Sequence, residues 1–269
     1  MSELDDRLSQ AYPPGYKENN KYSAKVHSLL AKLSEPIDPN KIEFKGIEYE
    51  WEANELKELH REWFPVRYPD SFFRDLYRKR YHTLLAVYRT KLPGEKQKSV
   101  LILGSITYET REPDTSILGF SLTQLCDDDT QGLYIMTLGV VNEVRKTGIA
   151  GKLLQQVINI VRANSSVKYV YLDVISYNHS AIRFYQKNGF VFVACKTKYY
   201  ELFGNSYDAH VYSLFINGGT KAWRAEDYKQ CVKNVLHFLN VPCHCYRLCA
   251  FFCKKLKNNK YTKIKSIKV

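Results

Sequence analysis

A chain of 269 residues with 45% hydrophobic side chains carries enough apolar material for a core in one or two domains, which excludes a wholly disordered polymer. Its formal net charge of +12 favours anionic partners, whether a polyphosphate cofactor, an anionic lipid surface or nucleic acid, and does not choose among them. No run of about 18 apolar residues is present, so an ordinary membrane span is not expected. The start Met1-Ser2-Glu3-Leu4-Asp5-Asp6 lacks the basic start and apolar core of a secretory signal. Five of the seven cysteines fall between Cys231 and Cys253, unlike a compact secreted disulfide framework, and a cytosol-facing chain with reduced thiols follows.

Residues 1 to 42 carry Pro13-Pro14-Gly15, paired asparagines and scattered charges without a sustained apolar period, and read as a flexible leader with a short helix near Val26 to Leu33. From Ile42 to about Phe215, apolar runs and turns alternate as in a mixed α/β domain. Asn54 to His60 reads as a helix start, and Leu84 to Tyr88 and Leu101 to Tyr108 read as strands separated by the Pro93-Gly94 turn. A loop with Pro113-Asp114 and the acidic run Asp127-Asp128-Asp129 precedes a central strand, Leu133 to Val140. The segment Arg145 to Gly151 then opens a helix whose buried face uses Leu153, Leu154, Val157, Ile158 and Val161.

That turn and helix N-terminus form a candidate cradle for phosphate oxygens, with Arg145 and Lys146 adding positive charge and Gly148 permitting close approach of the main chain. A β-α turn whose glycines serve packing is the competing reading. The Gly-x4-Gly-Lys-Ser/Thr pattern and the spaced glycines of a dinucleotide site are both missing. A second strand, Tyr169 to Val174, is followed by a helix with Ala181, Phe184 and Tyr185 on one face, capped by Asn178 or Ser176. Gly189 turns the chain into a strand at Phe190 to Val193.

The loop Arg145-x-x-Gly148-x-Ala150, with Asn178-x-x-Ala181-x-x-Phe184-Tyr185-x-x-x-Gly189-Phe190 downstream, resembles the acetyl-CoA signature of the GNAT N-acetyltransferases. Within that superfamily the chain is similar to the Golgi-associated N-terminal acetyltransferases called NatF. The likeness runs through Trp63-Phe64-Pro65-Val66-Arg67-Tyr68-Pro69-Asp70-Ser71, Leu138-Gly139-Val140-Val141 and Tyr212 to Gly219. It leaves the leader outside.

The resemblance implies the GNAT acyl-CoA N-acyltransferase fold: a mixed, mostly antiparallel sheet flanked by helices, in which two central parallel strands splay apart to admit the pantetheine arm of acetyl-CoA. It divides the chain into a leader at 1–42, an acetyltransferase domain at 43–220 and a membrane-associating segment at 221–269. It assigns the pantetheine and thioester to Leu138, Gly139 and Val140, the pyrophosphate to Arg145, Lys146, Thr147, Gly148, Ile149, Ala150 and Gly151, and further cofactor contacts to Asn178, Tyr185, Gln186, Lys187 and Asn188. Phe64, Pro65, Val66, Arg67, Tyr68, Met136, Tyr199 and Tyr200 then enclose the substrate. Arg67 stands where these enzymes carry an acidic residue, which reverses a charge beside the second substrate residue.

The implied chemistry is direct attack of an α-amine on the thioester, without a cysteine nucleophile and without a metal. Tyr134 is the first catalytic candidate and ranks ahead of Asp173, which occupies the position of the family's histidine. An aspartate of ordinary pKa, about 3.9, is a weak base for an amine, although burial between strands can raise it; the alternative is that it orients a water or holds the ammonium and leaves deprotonation to solvent or Tyr134. Tyr185 can donate to the leaving thiolate, or simply pack.

No acidic residue follows Asp227, while Lys254, Lys255, Lys257, Lys260, Lys263, Lys265 and Lys268 recur. Val235, Leu236, Phe238 and Leu239 form one apolar cluster and Leu248, Phe251, Phe252 and Leu256 another, with Pro242 between them. Two short amphipathic helices lying on an anionic membrane follow, in keeping with peripheral attachment to the cytosolic face of the Golgi. Cys243-x-Cys245 is too tight for a zinc pair, whereas Cys245, Cys249 and Cys253 share a helical face open to lipidation. The expected function is acetylation of Met-initiated N-termini, especially cytosol-exposed N-termini of transmembrane proteins. The alternatives are a histone lysine acetyltransferase acting on chromatin and a non-catalytic CoA-binding membrane adaptor; nucleic acid is the disfavoured partner.

Overall fold

Seven strands, several with continuous buried runs, assemble into one sheet in the computed structural model, which describes residues 25–33, 35–91, 94, 96–112 and 131–219. All of these belong to the first of two contact-defined units, Met1–Lys221. The strands are β1 (Ile42–Gly46), β2 (His82–Lys91), β3 (Lys98–Arg111), β4 (Gln131–Val140), β5 (Val167–Ile175), β6 (Val191–Leu202) and β7 (Asn205–Phe215). Their spatial order is β1-β2-β3-β4-β5-β7-β6, with β4 and β5 parallel and every other neighbouring pair antiparallel. Strands β2 and β3 outrun the apolar runs that announce them in the sequence, because the hydrogen-bond ladder carries polar ends such as Arg89 opposite Val100 and Glu109 opposite Tyr134.

Helix α1 (Lys25–Leu30) lies where the sequence places a short helix, but it is not loose: Val26 and Leu29 are buried in the core. The Val26 N–H donates to Glu55 at 2.8 Å, and the His27 ring bridges Glu62 at 2.6 Å and Glu143 at 2.7 Å. From Lys25 onward, then, the segment read as a flexible leader packs on the domain. One buried pair three residues apart is too short a pattern to stand out among polar neighbours.

Helix α2 (Glu50–Trp63) begins four residues before the expected start at Asn54. Its N-terminus is closed by the Glu52 carboxylate, which accepts from the main-chain N–H groups of Glu48 and Tyr49 at 2.8 and 3.0 Å. Glu52 is fully buried and paired with Lys45 of β1 at 2.7 Å. Helix α3 (Asp70–Tyr77) buries Phe72, Phe73 and Leu76, and the Phe72 and Phe73 rings surround His60 together with Trp63, Phe64 and Tyr68. Burial lowers His60 to about 4, so it is neutral near pH 7, with Leu56 O at 2.8 Å and Thr137 Oγ1 of β4 at 3.3 Å from its two ring nitrogens. His60 thus fastens α2 to the central strand.

Helix α4 (Ile149–Arg162) buries Leu153, Leu154, Val157, Ile158 and Val161, the face read from the sequence, and adds Ile149. Each such side chain contributes about 1.5–3 kcal/mol on leaving water. Helix α5 (His179–Lys187) follows β5. The acidic loop at 127–129, the two tail clusters and the cysteines from Cys231 to Cys253 lie outside the described residues. Among the described residues, no helix is long and apolar enough to cross a membrane and no cluster of three metal-ligating side chains occurs.

Candidate active site

The site begins where the two parallel strands part. β4 pairs with β5 from Gln131 opposite Val167 to Tyr134 opposite Tyr171, and there the pairing stops. β5 stays paired with β7 as far as Ile175. The cause lies one step along β4: Ile135 faces Tyr108 and Thr137 faces Thr107, so Met136 is an extra residue, and such a bulge bends its strand. Beyond Tyr134, the β5-facing edge of β4 has no strand partner among the described residues. It fits an extended, amide-bearing chain able to use those main-chain groups. Tyr134, Met136 and Leu138 are half-buried and alternate with the buried Leu133, Ile135 and Thr137, while Gly139 and Val140 of the predicted thioester-binding segment Leu138 to Val140 are both buried. Gly139 answers a different demand, since a Cβ there would stand 2.0 Å from the Trp63 ring.

At the end of β4 a 3-10 turn (Asn142–Val144) leads through Arg145 to Gly148 into α4. Gly148 caps the helix at φ 89°, and Lys146 is also left-handed at φ 66°. A Cβ at Gly148 would meet nothing within 4 Å of the chain, so the glycine is required by its backbone conformation rather than by crowding within the protein. Thr147 donates to Val144 O at 2.7 Å, and Arg145 Nε donates to Val140 O at 3.0 Å, bracing the loop against β4. The N–H groups of Ile149, Ala150 and Gly151 form the first turn of α4, where helix geometry leaves donors without main-chain acceptors. Exposed Arg145 and Lys146 beside them complete a cradle that fits a pyrophosphate.

Asn178 caps α5, accepting from the Ala181 N–H at 3.1 Å. Gln186 donates to the Tyr212 hydroxyl at 3.4 Å, Asn188 donates to Phe184 O at 2.8 Å, and Lys187 is exposed. Tyr185 is buried between Phe184 and Phe190, and burial pushes its phenol up, so it stays protonated and able to donate.

In the mouth of the gap the Tyr134 hydroxyl donates to Asp173 Oδ2 at 3.2 Å, and Lys196 Nζ reaches the same oxygen at 2.9 Å. The Tyr200 hydroxyl donates to the Asp173 main-chain oxygen at 3.3 Å. Burial, then the Asp173 charge, holds the Tyr134 phenol far above its ordinary range. The phenol therefore stays protonated and able to donate to Asp173. The Arg111 guanidinium, paired with Glu109, lies 4.0 Å from the Tyr134 ring centroid.

Two aromatic segments approach this mouth. Phe64, Pro65, Val66 and Tyr68 are half-buried after α2, and Tyr68 is pushed up to about 12 by burial and by neighbouring Tyr199. Arg67 is exposed and folds back, donating to Arg61 O at 3.2 Å. Tyr199 and Tyr200 pack edge-to-face with centroids 5.0 Å apart.

The model of the acetyltransferase (GNAT) family matches residues 53–190, which span both strands, the loop and α5. The chain belongs to this family. The acetyltransferase is 37% identical over 180 residues to N-alpha-acetyltransferase 60 of Xenopus tropicalis, covering 65% of this chain and 70% of that relative. It resembles the crystal structure of Arabidopsis thaliana NAA60 in complex with a bisubstrate analogue, with TM-score 0.57 and 30% identity over 66% of this chain and 99% of that one. The structure titled as the same plant protein in complex with acetyl-CoA gives TM-score 0.57 and 29% identity over the same shares.

Sequence reasoning missed two cations of the acetyltransferase site, Arg111 and Lys196. Neither belongs to a motif. Lys196 comes into place through an irregularity of β6: Lys196 faces Ala209 and Tyr200 faces Tyr207, so four steps on β6 match two on β7. Lys198 adopts φ 53° inside this bulge and donates its N–H to Asp208 Oδ1 at 2.8 Å. Strand alternation alone would put Tyr199 and Tyr200 on opposite faces; with the bulge, Lys196 lies 4.7 Å from the Tyr199 ring centroid and also reaches Asp173.

Proposed function

We propose that this acetyltransferase moves acetyl from acetyl-CoA directly to the α-amine of protein N-termini that begin with Met. The observation carrying this reading is the buried Asp173 carboxylate beside Tyr134 where β4 and β5 part, approached by the Phe64–Tyr68 and Tyr199–Tyr200 segments. Acetyl-CoA supplies an activated thioester carbonyl. The chain supplies an extended main-chain edge at Leu138 to Val140, an anion cradle at Arg145 to Gly151, and a proton donor and acceptor in Tyr134 and Asp173. An α-amine with a pKa of about 7.7–8.0 is partly neutral at physiological pH, so the acceptor's task is modest. Aromatic segments on both sides suit an apolar first side chain such as Met and leave little room for a lysine in mid-chain. The relatives whose names include N-alpha-acetyltransferase support the same choice of amine.

Its substrates in this reading are cytosol-exposed N-termini of transmembrane proteins, met while the enzyme sits peripherally on the cytosolic face of Golgi membranes. The basic, aromatic segment from 221 to 269 provides the attachment, each lysine contributing about 1 kcal/mol near an anionic surface. Acetylation of paired peptides with free and blocked N-termini tests the chemistry. We expect turnover only on the free terminus; modification of internal lysines in blocked histone peptides would instead mark a lysine acetyltransferase, and CoA binding without any acetylation an adaptor. Flotation with anionic liposomes, comparing the full chain with one ending at Gln230, tests the attachment: undiminished flotation of the shorter chain would overturn it.

A further inference from the structure

We infer that Lys196 is a positioning residue for acyl transfer, acting through Asp173, and that Asp173 Oδ1 is the atom that takes the proton from the substrate amine. The inference deepens the function proposed above and rests on its acid–base assignment, though not on which class of amine is acetylated. It starts from an asymmetry in one carboxylate. Tyr134 and Lys196 both bind Oδ2, at 3.2 and 2.9 Å, whereas Oδ1 is buried and has no hydrogen bond among the described residues. The Asp173 side chain is 2% exposed, so water does not freely solvate that oxygen. A buried acceptor left open carries a desolvation cost, which suits a site where a partner arrives during turnover.

The position agrees with such a partner. Asp173 lies two residues beyond Tyr171, the last residue of β5 paired with β4, at the level where the strands have already separated. Tyr134 and Tyr200 both hold this residue, the first through its carboxylate and the second through its main-chain oxygen. The β6 bulge that delivers Lys196 is itself pinned by the Lys198 N–H on Asp208, so the ammonium is held by a built irregularity rather than by a mobile loop.

Two consequences follow from the charge. The ammonium pairs a carboxylate that would otherwise be buried alone. It also makes the pair neutral overall, so an arriving substrate ammonium meets an acceptor without being trapped as a lasting ion pair. In the step itself, the ammonium nitrogen gives one proton to Oδ1, and the neutral nitrogen bonds to the thioester carbon. The carbon–sulfur bond breaks, and the nitrogen's second proton leaves with the sulfur as thiol. Asp173 then returns its proton to water, so each turnover yields one amide, one coenzyme A thiol and one free proton.

The test compares the full chain with Lys196→Met, Lys196→Gln and Lys196→Arg, measuring kcat and peptide KM separately and CoA affinity by calorimetry. We expect Met and Gln to lower kcat by about 10- to 100-fold, within the range of acid–base assistance, with peptide KM unchanged or lower, because a lone carboxylate holds the ammonium more tightly. Lys196→Arg should recover most of kcat. CoA affinity should match wild type in all three. In an Asp173→Asn background, Lys196→Met should have little further effect. A wild-type kcat in both Met and Gln variants, or a full multiplicative loss in the double variant, would overturn the inference. So would losses of CoA affinity parallel to kcat, which would mark a merely structural role. Wild-type enzyme that acetylates lysine side chains instead of α-amines would overturn the proposed substrate, and the same comparison would then decide the role of Lys196 on that amine.

Discussion

Replacing His27 by Gln should destabilise the protein at neutral and mildly acidic pH and have little effect at high pH. The ring lies between two carboxylates, Nε2 at 2.6 Å from Glu62 and Nδ1 at 2.7 Å from Glu143, an arrangement that the doubly protonated imidazolium satisfies fully. The hydrogen bond to Glu62, against the cost of burial and with the help of Glu143, raises its pKa from 6.5 to about 9. At about 1.4 kcal/mol per decade of proton affinity, linkage sets an upper limit near 3 kcal/mol. The ring is 22% exposed and Glu143 46% exposed, so solvent screening reduces the expectation to about 1–2 kcal/mol. Because the folded-state value lies above the unfolded one, the stabilisation is fully present below about pH 6.5 and disappears as pH rises through about 9. Urea unfolding of both proteins at several pH values from about 6 to about 10 measures it. A stability difference that stays constant across this range, or grows with pH, would refute the reasoning.

Gly139→Ala should lower stability by about 1–3 kcal/mol, seen as a reduced melting temperature, because the new Cβ would stand 2.0 Å from the Trp63 ring; an unchanged melting temperature would contradict the packing described. Gly148→Ala must hold φ 89° with a side chain, at a cost of about 1–2 kcal/mol, and should weaken CoA binding measured calorimetrically; equal affinity would remove the loop from the pyrophosphate site. Asp173→Asn should reduce kcat more than Tyr134→Phe does, reversing the sequence-based ranking, since Tyr134 donates its hydroxyl to Asp173, the proposed proton acceptor. Wild-type rates for both variants where chemistry limits turnover would exclude them from the mechanism.

What the sequence made legible was local. The apolar face of α4 repeats within two turns, the Asn178 cap acts three residues away, and Gly148 and Gly189 announce left-handed turns, so each could be read from its own neighbours. The start of α2 escaped because its cap position is Tyr49, not one of the usual capping residues, while the closing Glu52 is joined to a lysine on another strand. Tertiary packing hid the rest. The packing of Trp63 against Gly139 could not be read from either residue's neighbours, and Val26 and Leu29 gained a role only from the surface they cover. Lys196 meets Asp173 across 23 residues through a bulge that strand periodicity does not encode. The resemblance to a family placed Tyr134 and Asp173 together, but the direction of the hydrogen bond between them and the ion pair to Lys196 required the structure.

The most direct test of the account is a crystal structure of the full chain with a conjugate joining coenzyme A to the α-nitrogen of a Met-initiated peptide. The account predicts pantetheine along β4 beyond Tyr134, pyrophosphate on the Arg145–Gly151 turn, the peptide between the Phe64–Tyr68 and Tyr199–Tyr200 segments, and the α-nitrogen within direct or water-bridged reach of Asp173 Oδ1. A conjugate bound with its α-nitrogen remote from Asp173, or with its peptide entering away from those two aromatic segments, would contradict it.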